Sequence, residues 1–330
     1  MRRRFVGLCS GIPLRVFLGL VASLGAIVAA QAQEWPARPV RIIVPLAPGG
    51  GGDVFARLIG EELAKRFGQP FVVENRPGGA LNIGMRACAE SPPDGYTLCL
   101  TSSEPIVTNQ FLYKNMPFNA ETDFEAITLL FFNPIALVVN NSLGVKTIPE
   151  LVALSKAKPG TLSYATFSFP AMHFMDGLKK TAGADWVYVP YRSGNEVVNA
   201  VVTGATPIAV LGLANMLGQL RSGLITGIAL NANARSPLFP DLPTLTEAGA
   251  EDFPPAWFGL FAPRGTPKPV IAKVHGEIVR IAGEPNWRQK NFIDRAIEPA
   301  VNTPEQFAAF IVRERKFSER IVRESGQQPQ

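Results

Sequence analysis

Four consecutive glycines stand between an apolar segment and an amphipathic one, in the stretch PLAPGGGGD at residues 45–53. The preceding Val40–Val44 is short and apolar and is followed by proline, which is typical of a buried strand. Residues 54–67 place their apolar side chains on one helical face, and Gly68 ends the pattern. A glycine-rich turn between a strand and a helix leaves backbone N–H groups free to bind an anion. The sequence therefore predicts a carboxylate or phosphate site at this turn.

Two nucleotide-binding patterns are absent from the turn. No lysine followed by serine or threonine comes after the glycines, as a P-loop requires, and no register of residues 47–56 gives G-x-G-x-x-G. Asp53 is predicted to be the N-cap of the helix and to accept from the amides of Phe55 or Ala56. The alternative is a tight strand-to-helix turn without a ligand, although one or two glycines would be enough for that.

Strands and helices alternate along the chain, which indicates an α/β fold with sheets covered by helices. Residues 127–139 are two apolar runs divided by Asn133-Pro134, and the proline predicts a crossing segment or hinge rather than one central strand. Residues 256–263 are predicted to form the returning strand. The other predicted strands are 71–73, 96–101, 162–165, 186–189 and 208–211. The other predicted helices are 81–90, 148–156, 171–181, 196–203 and a C-terminal region from 267, with a capping signal at 303–306.

The first 32 residues have the pattern of a secretory signal peptide. A basic start precedes an apolar run of about 15 residues, which is shorter than a membrane span needs, and residues 30–32 (AQA) have the form of a cleavage site. General export and the twin-arginine route both stay open. Cleavage near Ala32 removes four arginines and no acid, which leaves 28 Lys+Arg against 27 Asp+Glu and a formal charge of +1 instead of +5. The basic pI is therefore no argument for nucleic-acid binding.

Cleavage also leaves two of the three cysteines, Cys88 and Cys99. An exported protein folds in an oxidising compartment and the pair flanks a turn at residues 92–95, so a disulfide is predicted. In the chain-entropy model a loop this short is stabilised by about 3 kcal/mol. The alternative is a pair of buried thiols that act as small hydrophobic side chains.

Several motifs occur in a fixed order along the chain. They are VRIIVPLAPGGGGDVFARLIGEELAKRFGQPFVVENRPGGALNIG, PPDGYTL, VPYRSG, PTLTEAG and WFGLFAPRGTP. Over essentially the whole mature chain they resemble the Bug-type receptors, which are the extracytoplasmic substrate-binding proteins of tripartite tricarboxylate transporters. The resemblance implies a two-lobed, flytrap-like periplasmic-binding-protein fold (type II-like) with mixed sheets. Domain 1 is expected at residues 33–133 and 257–330 and domain 2 at residues 134–256, with one small carboxylate in the cleft between them.

The resemblance also implies a monomeric periplasmic protein that delivers its solute to membrane transporter subunits. It implies no enzyme activity, no cofactor, no metal and no catalytic residue. The residues agree with this, because the sequence has no nucleophile elbow, no zinc-protease helix and no Cys–His arrangement, and His173 and His275 are isolated. A ligand sensor that signals to the ectodomain of a membrane histidine kinase is the alternative function.

In the first domain, the resemblance places the ligand on the glycine turn and on the loop after the third strand. The implied contacts are Ala47, Gly50, Gly51, Gly52, Asp53, Thr101, Ser102 and Ser103. Hydroxyl groups suit a site that donates to carboxylate oxygens without adding a charge. The alternative for residues 101–103 is a cap of the following helix, and both roles are compatible.

In the second domain, the sequence departs from the family pattern. The loop expected to bind the ligand contains Thr166, Phe167, Ser168 and Phe169, where related receptors have serine and glycine. Two acidic family positions appear as Pro207 and Leu211, which argues against amino-acid ligands. An apolar or aromatic acid that stacks on Phe167 or Phe169 is therefore predicted, and the alternative is that both rings are core.

Arg192 lies in the loop VPYRSG, which is expected to border the cleft. A guanidinium group at this place would bind a distal carboxylate with two hydrogen bonds. The alternative is a salt bridge at the surface or between the domains.

Overall fold

The framework consists of two β-sheets. The chain leaves the first sheet at Pro134 and returns to it at Ala256, more than a hundred residues later. The structure is a computed structural model that describes residues 34–166, 168–191, 193–232 and 234–330. Within these, Arg38–Gln330 is one compact unit. The predicted signal peptide lies outside the described residues. In the part of the chain that is described, every helix is too short or too polar to span a bilayer.

The first sheet has six strands in the spatial order β11-β4-β10-β3-β1-β2. Its strands in chain order are β1 (Val40–Val44), β2 (Phe71–Asn75), β3 (Thr97–Ser102), β4 (Phe124–Asn133), β10 (Ala256–Pro263) and β11 (Glu298–Pro299). β1 runs parallel to β2 and β3, whereas β10 is antiparallel to β3 and β4. The sheet is therefore mixed, as the sequence predicts.

The second sheet has five strands in the order β7-β6-β8-β5-β9. They are β5 (Ile135–Asn140), β6 (Leu162–Ala165), β7 (Trp186–Tyr188), β8 (Ile208–Gly212) and β9 (Ile225–Asn231). β6 is parallel to β7 and β8, and β5 is antiparallel to β8 and β9.

Helices cover both sheets. Those before the second sheet are α1 (Gly51–Phe67), α2 (Asn82–Ala89), α3 (Glu104–Val107) and α4 (Asn109–Leu112). Those around the second sheet are α5 (Ile148–Ala157), α6 (Phe169–Ala182), α7 (Gly194–Thr203) and α8 (Leu213–Arg221). The last are α9 (Lys268–Gly283), α10 (Pro285–Asn291) and α11 (Pro304–Ser325), and α11 begins with the predicted capping box of Thr303 and Gln306.

We call the first sheet with its helices the first lobe (residues 38–133 and 256–330), and the second sheet with its helices the second lobe (residues 134–255). That these lobes are separate domains with the expected boundaries stays a prediction. The crossing at Asn133-Pro134 is confirmed, since β4 ends at Asn133 in one sheet and β5 starts at Ile135 in the other. Proline has no N–H to donate to a ladder, so a change of sheet at this position costs no hydrogen bond.

The crossing brings together the carboxyl ends of the parallel strands of both sheets. Asn133 pairs with Ala256, and Ser102, the last residue of β3, pairs with a residue two positions further along β10. On the other side, Ile135 pairs with Gly212, the last residue of β8. Ligands of α/β proteins bind outside the carboxyl ends of parallel strands. The fold therefore places both ligand-binding edges next to the crossing.

An aromatic cluster fixes α1 on the first sheet. Phe55 of α1 lies 4.5 Å from Phe131 of β4, and Phe131 stacks on Phe258 of β10 at 4.8 Å, measured between ring centroids. All three side chains are buried. Because α1 is held by this cluster, the turn at its start has a fixed position at the carboxyl edge of the sheet.

Candidate functional site

The four glycines of the turn have different structural roles. Gly49 has a φ of +83°, a conformation that side chains with a Cβ rarely adopt. A Cβ on Gly52 would lie 2.6 Å from Leu46 Cδ1 and 2.7 Å from Phe258 Cε1, so the helix start packs against the core only without a side chain. Gly50 and Gly51 have no such clash, and these two leave the backbone open towards the second lobe.

The N-cap prediction for Asp53 is wrong. The helix starts three residues earlier than the pattern indicates, with Gly50 at the N-cap position and no side-chain capping bond. Asp53 is thus the third helical residue and is 2% exposed. Glycines are poor helix formers, so the periodicity of apolar residues misses the first turn that they make.

The Asp53 carboxylate holds the turn in shape from behind. It accepts from the Gly49 amide at 2.8 Å, from Asn75 Nδ2 at 2.9 Å and from Arg57 at 2.9 and 3.1 Å. Burial raises the pKa of this carboxyl, but the hydrogen bonds from Arg57, Gly49 and Asn75 outweigh it, and the pKa lies below its ordinary value. Asp53 is therefore ionised and satisfied, and its side chain supports the turn.

The first-turn amides of α1 are the donors that remain for a ligand. Gly51 N–H reaches Asn215 Oδ1 of the second lobe at 3.4 Å. Within the described residues, the Gly52 amide has no hydrogen-bond partner. These amides stand at the positive end of the helix dipole, where a carboxylate is stabilised. Ala47, half-buried in the same turn, is the predicted contact nearest to β1.

The end of β3 adds hydroxyl groups at the same edge. Thr101 is fully buried, and its Oγ1 has no partner among the described residues. Ser103 is at the N-cap position of α3 but makes no side-chain capping bond, so the capping alternative is wrong for this residue. The structure thus leaves the hydroxyls of Thr101 and Ser103 available for another role.

Glu104 is an acid that the sequence analysis does not single out. Burial raises the pKa of Glu104, opposed by hydrogen bonds from the Ser102 side chain and from its own amide. Its Oε2 is buried and has no partner among the described residues. A group that keeps a proton more readily than an ordinary glutamate thus lies beside the predicted hydroxyls.

The predicted residues of the second lobe are mostly engaged in local structure. Thr166 is fully buried; its Oγ1 accepts from the Ser168 amide at 3.1 Å, and its carbonyl accepts from Tyr188 Oη at 3.1 Å. Phe169 is 8% exposed and packs in an apolar cluster between the lobes, as the core alternative describes. The cluster, which we call the α6–α11 cluster, comprises Phe169, Ile321 and Val322 with Phe111, Leu112 and Phe317 around them. The structure thus gives no support to stacking of a ligand on Phe169, and Phe167 and Arg192 lie outside the described residues.

Two second-lobe asparagines face the glycine turn and are missed by the sequence analysis. Asn215 lies near the start of α8, and Asn195 Nδ2 is 3.8 Å from the position of a Cβ on Gly49. The sequence feature that could have identified Asn215 is its position as a polar residue in the otherwise apolar stretch after β8. The hydroxyl residues after β3 are placed in the same way, directly after a strand. No periodicity relates residues 51 and 215, so the contact itself is visible only in three dimensions.

Cys88 and Cys99 are joined by a disulfide, with their Cα atoms 6.2 Å apart. Both are fully buried between α2 and β3. The bridge fastens α2 to the strand whose end carries the site hydroxyls.

Comparison with known proteins identifies the family and the fold. Residues 55–327 match the family described as "Tripartite tricarboxylate transporter family receptor". The chain is 32% identical to Protein BugT of Bordetella pertussis over 310 residues, which cover 93% of this chain and 95% of BugT. It also resembles two solved structures from R. palustris. Rpa4515 with adipate has 28% identity and a TM-score of 0.85 over 90% of this chain and 100% of that chain. MatC with bound malate has 29% identity and a TM-score of 0.79 over 87% and 100%. The chain therefore belongs to the receptor family of the tripartite tricarboxylate transporters and has its periplasmic solute-binding fold.

Proposed function

We propose that this chain captures a small organic carboxylate between its two lobes in the periplasm and delivers it to the membrane subunits of a tripartite transporter. The observation that carries the proposal is the start of α1, where a glycine turn follows β1 and the Gly51 N–H is directed at Asn215 of the second lobe. Export with cleavage near Ala32 belongs to the same proposal.

A carboxylate suits these donors because they are neutral and preorganised. Arg57, the cation closest in sequence, is held by Asp53 and by Asn75 at 2.9 Å. The ligand charge would be balanced by the helix dipole and by hydroxyls such as Thr101. That two similar proteins have adipate and malate bound supports the same ligand class here.

The rest of the ligand is proposed to be apolar or aromatic and to lack an amine. Leu211, near the carboxyl end of β8, stands where an acid would pair an ammonium group, and it is buried. Pro207 lies at the opposite end of β8, where its carbonyl accepts from the Asn140 amide, so only Leu211 supports this part of the proposal. Since Phe169 is packed in the α6–α11 cluster, stacking of an aromatic ring on this loop would have to use Phe167.

A thermal-shift screen followed by isothermal titration tests the proposal. The panel is adipate, malate, benzoate, phthalate and aspartate. A ligand at 100 times its Kd stabilises the fold by about 2.7 kcal/mol. We expect aspartate to be the weakest of the five.

The variant Gly51→Asp tests the glycine turn itself. A carboxylate at this position would repel the ligand, and we expect affinity to fall at least about tenfold. Gly276→Asp in α9 is the matched control, since it adds the same charge where no atom lies within 4 Å of a new Cβ. Unchanged affinity in Gly51→Asp would count against the amide site.

Delivery is tested separately from capture. Purified protein, with and without the best ligand, is used to pull down partners from a membrane extract of the source cells. Enrichment of transporter subunits by the liganded form supports transport, whereas enrichment of a histidine kinase alone would replace this part of the proposal with ligand sensing.

A further inference from the structure

The Asn215 side chain accepts a hydrogen bond from the Gly51 amide. The proposed function assigns this same amide to the ligand. The Asn215 carboxamide Oδ1 lies 3.4 Å from the Gly51 amide and 3.5 Å from the position of a Cβ on Gly51. The two residues belong to different lobes. The contact therefore closes the cleft at the very amide where a carboxylate oxygen would bind.

The contact between Asn215 Oδ1 and the Gly51 amide is weak enough for a ligand oxygen to replace it. At 3.4 Å it is at the long end for an N–H···O bond, and the acceptor is a neutral amide. A carboxylate accepts a shorter and stronger hydrogen bond from the same N–H. Exchange of the Asn215 oxygen for a ligand oxygen is therefore favourable at this donor.

The surface around Asn215 suits such an exchange. A depression of about 330 Å³ on the second lobe is lined by the amides of Asn195, Asn199, Asn215 and Gln219 together with apolar side chains. None of its described lining residues is charged. Asn195 lies against Gly49 while Asn215 lies against Gly51, so neutral amides from the second lobe meet the turn along its length.

We propose that Asn215 sets the affinity of the site, because its side-chain oxygen accepts from the Gly51 amide and must be displaced by the ligand carboxylate. This inference rests on the proposed function. It makes Asn215 a competitor of the ligand, and the contact between Asn215 and Gly51 also holds the two lobes together.

Titration of three variants with adipate and malate tests the competition. Asn215→Ala removes the competing oxygen, and we expect Kd to fall about threefold, because the ligand no longer has to displace an acceptor from the Gly51 amide. Asn215→Asp replaces it with a charged competitor, and we expect Kd to rise by more than about tenfold at low salt and less at high salt. Asn199→Ala, in the same depression but without contact to the turn, should leave Kd unchanged. A Kd that stays the same or rises in Asn215→Ala overturns the inference.

Small-angle X-ray scattering of the ligand-free proteins separates this inference from the proposed function. Asn215→Ala should have a larger radius of gyration than the wild type, and Asn199→Ala should not. If the wild type binds neither acid but Asn215→Ala still expands, the closing contact stands and the carboxylate function loses its support. If Asn215→Ala does not expand, the inference fails whatever the wild type binds.

Discussion

At the scale of single residues, the glycine turn shows that neighbouring glycines can serve different purposes. Gly49 provides a left-handed φ and Gly52 a close approach to Leu46 and Phe258, whereas Gly50 is an extended N-cap residue with φ −75° and ψ 164°. The fold requires glycine at positions 49 and 52 but not at position 50. The turn is thus partly a structural requirement and partly an open backbone.

Gly52→Ala should therefore be destabilising while Gly50→Ala is tolerated. The new Cβ on Gly52 overlaps Leu46 and the ring of Phe258, and overpacking of this kind costs about 1–3 kcal/mol. On Gly50 the nearest atom is the Ala47 carbonyl oxygen at 3.7 Å, an ordinary contact, so the change should stay within about 0.5 kcal/mol. Urea unfolding of both variants measures the difference, and equal stabilities would contradict this reading of the turn.

Asp53 makes the stability of the turn depend on pH. Its pKa is lower in the folded protein than the ordinary value of 3.8, so its contribution is present above that value and is lost as the pH falls through the folded pKa. Asp53→Asn should cost about 2 kcal/mol at neutral pH, because bonds to a charged acceptor are lost.

The pH profile of unfolding checks this prediction. The gap between wild type and Asp53→Asn should be constant from pH 8 to about pH 5 and should narrow below pH 4. Asp252→Asn at an exposed position is the control and should follow the wild type throughout. A gap that widens in acid would show that the carboxylate is not stabilised by its partners.

The residue scale is also where sequence analysis reaches its limit. The prediction of an anion site at the turn follows from local composition, because glycine and a helix start are sequence features. The role of Asp53 does not, since it depends on where a glycine helix begins and on Asn75 and Arg57. Asn215 lies 164 positions from Gly51, and a single sequence carries no pattern that joins them.

At the scale of elements, the site stands on α1 and on the end of β3, and both are anchored. The aromatic cluster of Phe55, Phe131 and Phe258 holds α1 on the first sheet, and the bridge between Cys88 and Cys99 joins β3 to α2. Strands such as Leu162–Ala165 and Ala256–Pro263 have the predicted bounds, because apolar runs with turn residues on both sides mark strands well. Helix α8 and strand β9 are not predicted by the sequence analysis, although Ser222-Gly223 marks the break between them and Gly223 has a positive φ.

Phe169→Ala tests whether this ring packs between the lobes. Removing a buried phenylalanine costs about 3 kcal/mol, and the loss should appear in thermal unfolding. Val312→Ala, at an exposed position of α11, the helix against which Phe169 packs, serves as the control and should change little. If Phe169→Ala kept full stability and lost affinity for benzoate alone, the ring would contact the ligand instead.

The disulfide is tested on the exported, unreduced protein after denaturation. Thiol titration should find no free thiol, and the Cys88→Ser, Cys99→Ser double variant should lose about 3 kcal/mol of stability. Two free thiols per chain would show that the cysteines are a buried reduced pair.

At the scale of the whole molecule, the proposed ligand site lies where the carboxyl edges of the two sheets meet. The crossing at Asn133-Pro134 brings the carboxyl ends of both sheets together. In the proposed function, a carboxylate between them would contact amides of one lobe while displacing Asn215 of the other. At the Gly51 amide the ligand would then replace a weak hydrogen bond with a stronger one.

A crystal structure with the tightest-binding acid of the panel tests the central claim most directly. The account predicts a carboxylate oxygen within hydrogen-bond distance of the Gly51 and Gly52 amides, with the Asn215 side chain turned away from Gly51. A bound acid elsewhere in the molecule, with Asn215 still on the Gly51 amide, would contradict it.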